Sequence, residues 1–253
     1  EQKGRALTGG NKGSLGQIIE EAVLKYANNS DAATEIHIGD TSYEVKVTPL
    51  KHIKKGKQTS AKGRLVIDII NYLTLADETD FESSKMWDKA KNIILVYYYD
   101  DRTDKKKELR IDCKVLASYL MKYEADDLAT IKNDWHVIRD KVASGHADSL
   151  SESDTNYLAA CTKGANSKQL REAPAPAGAN TATIFAKQRA FSLKTSYMTA
   201  IARKLLNRKS ETVRLPLPHA QHLDEYVAAK FLPYTAKSSR DIAHALHAPP
   251  APT

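Results

Sequence analysis

Glu35-Ile-His-Ile-Gly-Asp-Thr-Ser-Tyr-Glu-Val-Lys-Val-Thr-Pro49 is the stretch that decides how this chain folds and what chemistry it carries. Two β-forming runs, 35–38 and 43–48, flank Gly39-Asp40-Thr41-Ser42, a pattern that predicts a β-hairpin with a four-residue loop and a second strand stopped by Pro49. Residues two apart on a strand share a face, so Glu44 and Lys46 project together. A carboxylate beside an ammonium suits phosphodiester hydrolysis, where a divalent metal held by hard oxygens polarises the phosphoryl group and acidifies an attacking water. Glu44 supplies one such oxygen ligand. Glu35 supplies a second if the hairpin register carries it across, and Lys46 orients or deprotonates the water and offsets transition-state charge. Glu-x-Lys is also common on ordinary exposed strands, so the surroundings carry the weight.

Downstream, Val45–Ile67 contains no acidic residue, while Lys46, Lys51, Lys54, Lys55, Lys57, Lys62 and Arg64 all fall there. A second basic series runs from Lys163 and Arg171 through Lys187, Arg189 and Lys194 to Lys209. With a net charge of +7, two acid-poor stretches favour a polyanionic partner over a merely solvated surface. Upstream, Leu15, Ile18, Ile19, Ala22, Val23 and Tyr26 recur at helical spacing behind a Ser14/Gln17 capping pattern, which predicts an amphipathic helix. Glu20 lies at the border of its apolar stripe, placed to reach into a cleft.

Leu65–Ile70 and Ile93–Tyr99 read as buried strands, and Glu108–Asp112 is expected to pair with the latter across residues 100–103, giving a mixed central sheet. Leu128, Ile131, Trp135, Ile138 and Val142 mark one face of a helix ending near Gly145, and Met198–Leu206 marks another. Arg171–Thr183, rich in Pro, Ala and Gly, reads as a loop or flap. The class is α/β, with helices flanking the sheet. At 253 residues and 42% hydrophobic content the chain can bury a sizeable core. No run of about 18 apolar residues occurs, the first residues lack the apolar stretch of a signal peptide, and Cys113 and Cys161 lie outside any zinc or disulfide pattern. The expectation is a cytoplasmic protein with no membrane partner.

Lys12–Glu20, Glu44–Pro49 and Arg64–Tyr72 resemble the first half of the MutH-like nucleases, and Tyr157–Asn166 with Ala186–Lys194 resemble their DNA-reading half. The resemblance covers most of residues 12–206 in order and is nearest to the GATC-cleaving type II restriction endonucleases of that group. It implies a PD-(D/E)xK restriction-endonuclease-like core with a two-lobed cleft, a Mg²⁺ requirement and recognition of double-stranded DNA at GATC. It also implies a nuclease domain over 1–235, with a catalytic lobe at roughly 12–115 and a DNA-reading lobe at roughly 116–235, followed by a C-terminal helix and flexible tail over 236–253.

Carried over by position, the resemblance makes Glu20, Glu44 and Lys46 catalytic and places Lys163 and Lys194 in DNA-contacting segments. The family's Asp, seven residues before the Glu of Glu-x-Lys, falls here on His37. Two extra residues in the hairpin loop bring Glu35 into that position as catalytic residue and metal ligand; Asp31 and Asp40 compete for it. Lys163, Asn166, Lys187, Gln188, Arg189, Ser192 and Lys194 carry donors suited to DNA, most of them expected to hold phosphates. A single Glu-x-Lys element cuts one strand per engagement, so a palindromic site calls for a homodimer on DNA or a second related domain. The expected activity is double-strand cleavage at GATC leaving 5′-phosphate ends. The alternatives are a mismatch-repair nicking enzyme and a catalytically impaired GATC-binding domain of a larger restriction enzyme.

Overall fold

The computed structural model describes residues 35–38, 40–53, 58–100, 114–164, 169–207 and 237–238. In chain order the strands are β1 (Glu35–Ile38), β2 (Thr41–Ile53), β3 (Gln58–Ala61), β4 (Leu65–Ile69), β5 (Ile93–Tyr99), β6 (Lys114–Leu120), β7 (Leu158–Thr162), β8 (Leu170–Pro174), β9 (Thr183–Lys187), β10 (Arg189–Leu193) and β11 (Lys237–Ser238). The helices are α1 (Tyr72–Asp77), α2 (Lys85–Ala90), α3 (Ala125–Ala143) and α4 (Thr195–Asn207). The chain is α/β and divides into two compact units. One comprises residues 1–62, 92–121 and 202–253, the other 63–91 and 122–201. The units therefore interleave along the chain instead of dividing near residue 115, because 63–91 packs with the later segment.

In the first unit a mixed sheet runs β1-β2-β5-β6-β11, with β3 also paired to β2. The hairpin is tighter than the sequence suggests: Ile38 pairs with Thr41, which leaves two residues between the strands instead of four. Pro49 does not stop β2, which runs on to Ile53. Its carbonyl accepts from Lys62 N–H at 2.8 Å, on the β3 side. A strand residue's N–H and C=O point to the same edge, so the missing donor faces away from β5 and breaks no bond of the β2–β5 ladder. That ladder is parallel from Glu44 opposite Ile93 to Leu50 opposite Tyr99. β5 is buried on both faces, with Ile93, Leu95, Val96, Tyr97 and Tyr98 all inside, as a continuous apolar run requires.

Glu108–Asp112 lies outside the described residues; one edge of β5 is taken by β6, Ile94 opposite Leu120 through Tyr99 opposite Lys114, and the other by β2. The tyrosine triplet is strand packing, Tyr97 stacking on Tyr119 at 6.5 Å. Of the segment after 235 only the backbone of β11 is described, paired with β6.

In the second unit β4 leaves the central sheet and pairs with β10, which pairs in turn with β7. Residues 171–183 are not one loop, since β8 and β9 form a two-stranded ribbon from Leu170 opposite Lys187 to Pro174 opposite Thr183. Alternation explains it: Ala173 and Ala186 are buried on one face while Leu170, Glu172, Phe185 and Lys187 are exposed on the other.

α3 buries Ile131, Trp135, Ile138 and Val142 as expected. It ends in a Schellman motif, Gly145 N–H to Val142 O and His146 N–H to Lys141 O, both 2.9 Å. Gly145 has φ 84°, and a Cβ there would lie 2.2 Å from the Pro176 nitrogen. Gly145→Ala therefore combines left-handed strain with a backbone clash and is expected to cost about 2 kcal/mol or more, read as a lowered urea midpoint.

α1 buries Tyr72, whose hydroxyl donates to Lys187 O at 2.5 Å. Burial pushes this phenol up to about 12, against a smaller opposing pull from Arg189. A raised phenol favours the neutral form in the fold, so its contribution is fully present below about pH 10 and is lost as pH rises through 12. Two pK units amount to roughly 2.7 kcal/mol. Thermal melts between pH 9 and 12 should fall more steeply for the wild type than for Tyr72→Phe, which pays about 1 kcal/mol for its lost hydrogen bond at every pH.

Candidate active site

The parallel ladder with β5 starts where Glu44 N–H donates to Asn92 O at 2.9 Å, and its unbroken register keeps Glu44 and Lys46 on one face of β2. Lys46 Nζ bonds Glu44 Oε1, and the two side chains are 19% and 22% exposed. Glu44 Oε2 is buried and has no hydrogen-bond partner among the described residues. A half-used carboxylate in a screened position is costly unless something of positive charge completes it.

The hairpin register sets Glu35 directly opposite Glu44. The pairing required for a two-carboxylate site is thus the one the backbone adopts. Asp40 lies in the exposed turn, four residues from Glu44 along the chain. Asp31 and Glu20 lie outside the described residues. His52, at the far end of β2, is exposed and stacks on Tyr99 at 4.2 Å.

In the second unit, the candidate DNA contacts separate into two groups. Lys163 follows β7, and Arg189 opens β10 opposite Thr162, so Lys163, Lys187 and Arg189 gather at one end of the β7–β10 pair. Lys163 and Lys187 are exposed, and Arg189 Nη1 donates to Ala160 O at 2.8 Å. Lys194 sits beyond the other end of β10 and its ammonium bonds Thr155 O. Ser192 faces inward at 1% exposure, its hydroxyl 3.4 Å from Ala159 O, which removes it from the accessible donors. Asn166 lies outside the described residues.

Gln188, grouped with the donors from sequence, has another part: it is buried, accepts from Arg171 Nε at 2.8 Å and donates to Lys163 O at 3.2 Å. It ties the start of the basic end together and brings Arg171 to it. A glutamine between two basic residues gave no hint of that role.

The MutH family pattern, described as DNA mismatch repair enzyme MutH, matches residues 24–134, which include the whole hairpin and β5. The type II restriction enzyme Sau3AI of Staphylococcus aureus is 37% identical over 227 residues, 88% of this chain and 44% of that enzyme. The chain contains a MutH-family domain. The DNA mismatch repair protein MutH of Shewanella woodyi is 25% identical over 190 residues, 75% of each chain. That of Shewanella sp. strain MR-7 is 26% identical over 196 residues, 77% of this chain and 80% of its own. This chain thus spans less than half of the length of Sau3AI.

Among the described residues of the MutH-family domain, no group of three or more His, Cys, Asp or Glu side chains gathers as a ready metal cage. Glu44 still fits a hard divalent cation, because its buried second carboxylate oxygen has no partner among the described residues. An ion that keeps most of its waters needs only one or two carboxylates, and the residue opposite Glu44 is Glu35. No helix among the described residues is long and apolar enough to cross a membrane.

Proposed function

We propose that this chain is a sequence-specific endonuclease of the type II restriction kind, cutting double-stranded DNA at GATC with Mg²⁺ and leaving 5′-phosphate ends. The observation that carries this is the buried, unpaired Glu44 Oε2 beside the Lys46 ammonium, on a strand whose register places Glu35 opposite. Glu44 and Glu35 would hold the ion, which when bound polarises the phosphoryl oxygens and acidifies a water. Lys46, as an ammonium, would orient the attacking water in line with phosphorus and offset the charge that builds up there, while the water's proton passes through solvent to the departing O3′. The P–O3′ bond breaks, leaving a 3′-hydroxyl and a 5′-phosphate. Glu20 serves as a supporting carboxylate.

Lys163, Lys187 and Arg189, with Asn166 near them in sequence, would track the duplex; Lys194 would steady the far end through its hold on Thr155. GATC itself comes from the family resemblance, and its two-fold symmetry asks for a homodimer on DNA or a second related domain.

Plasmid DNA, unmethylated and hemimethylated at GATC, incubated with the protein and Mg²⁺ tests the proposal. Linear fragments with 5′-phosphates support restriction. A second reading is a strand-nicking enzyme of mismatch repair, favoured by the MutH relatives whose length this chain covers by 75% and 80%. Nicks confined to the unmethylated strand would support it. GATC binding with no cleavage at all would make the chain a targeting domain.

A further inference from the structure

We propose that Thr48 is a positioning residue for Lys46, its hydroxyl accepting the ammonium when Glu44 turns its oxygens to a cation. This rests on the nuclease reading above. The β2–β5 register is continuous from Glu44 to Leu50, so Glu44, Lys46 and Thr48 follow one another on the same face, about 7 Å apart in sequence steps of two. Lys46 sits between two potential acceptors. Its present partner is Glu44 Oε1, an oxygen whose availability falls once the carboxylate is drawn to a cation.

The acceptor on the other side is Thr48 Oγ1, which is buried and has no hydrogen-bond partner among the described residues, in a residue only 2% exposed. A flexible four-carbon stem covers the spacing between alternate strand residues, and an ammonium with three donors can donate to a hydroxyl oxygen as well as to a carboxylate.

Strand formation does not explain the hydroxyl, since valine has the same branched shape and equal or better β-propensity. Nor does stability, because a buried hydroxyl without a partner is a net cost. What remains is an acceptor held in reserve on the reactive face. As Lys46 swings from Glu44 to Thr48, its ammonium stays on the strand face beside the substrate phosphate instead of escaping to solvent.

The test compares wild type, Thr48→Val and Thr48→Ser in steady-state cleavage of a GATC duplex with Mg²⁺, together with thermal melts and Ca²⁺ titration of each protein without DNA. Thr48→Val is expected to lower kcat about 10- to 100-fold with KM within about twofold, the worth of one hydrogen bond to a charged group. Thr48→Ser restores most of the rate. The valine protein melts at or above the wild-type temperature and binds Ca²⁺ unchanged, since the hydroxyl serves the lysine and not the ion. Equal kcat in wild type and Thr48→Val overturns the positioning role and leaves the nuclease standing. A marked drop in melting temperature for the valine protein also overturns it, by showing the hydroxyl bonded within the fold. Absence of cleavage by the wild type overturns the nuclease reading, and this proposal with it.

Discussion

Glu44→Ala is expected to lower the rate of GATC cleavage about a thousandfold or more, while affinity for the duplex changes only a few-fold. The side chain supplies the one described carboxylate oxygen that is both buried and unpaired. Removing it takes away a charge that would hold the cation and also the present partner of Lys46. Duplex affinity should survive because the basic groups Lys163, Lys187 and Arg189 belong to other strands and loops of the second unit. Glu44→Gln separates the two losses: the amide keeps the shape and one acceptor but not the anion, so Ca²⁺ binding measured by calorimetry should fall with it almost as far as with alanine. Stability should move little, since the ion pair is partly exposed and such pairs contribute roughly 0–1 kcal/mol. Undiminished cleavage by Glu44→Ala would remove Glu44 from the site and with it the metal-site proposal.

How much of this was legible beforehand depended on whether a signal was local. Ile93–Tyr99 announces itself as a continuous apolar run and the stripe from Ile131 to Val142 by its helical period, and both form the elements expected. Glu44 and Lys46 needed only the alternation of a strand. The placement of Glu35 opposite Glu44 was legible as a possibility of register and follows from a two-residue turn, where four residues had been expected.

Partners distant in sequence were not legible. Leu65–Ile69 looks like any buried strand, and nothing in it says that β10, over a hundred residues later, is its neighbour. Pro49 misled because a proline blocks one edge of a strand only, and which edge faces the ladder is a tertiary fact. Ser192 misled in the same way: its neighbours Ala190 and Phe191 are also buried, so β10 has two covered faces and no alternation to expose a polar residue. The short helices α1 and α2 carry too few turns to show a period, though Asn71 and Ser84 cap them as their side chains allow.

The largest loss of stability from any single change is expected at Asp134, a carboxylate on the buried stripe of α3 with no exposure at all. Its Oδ1 accepts from Asn156 N–H at 2.9 Å, and its Oδ2 from Tyr157 N–H at 2.6 Å and Leu158 N–H at 2.9 Å. Three backbone donors thus converge on one side chain where the chain enters β7, and they have no strand partner in its place. Asp134→Ala would leave all three unpaired beside a cavity, and the cost should reach about 3–5 kcal/mol, a large part of a typical domain's margin. Asp134→Asn tests the electrostatics separately. An amide keeps one acceptor and turns an N–H₂ group toward donors, so about half of that loss or more should remain despite equal volume. Because β7 is the strand that leads into Lys163, a milder variant that still folds should also show faster amide exchange at Tyr157 and Leu158 than at Ile94 and Leu95 of β5. Urea unfolding with hydrogen exchange decides it: if Asp134→Ala unfolds within about 1 kcal/mol of the wild type, the three donors are not held by the carboxylate, and the junction of α3 with β7 draws its stability from apolar packing at Trp135 and Leu158 instead.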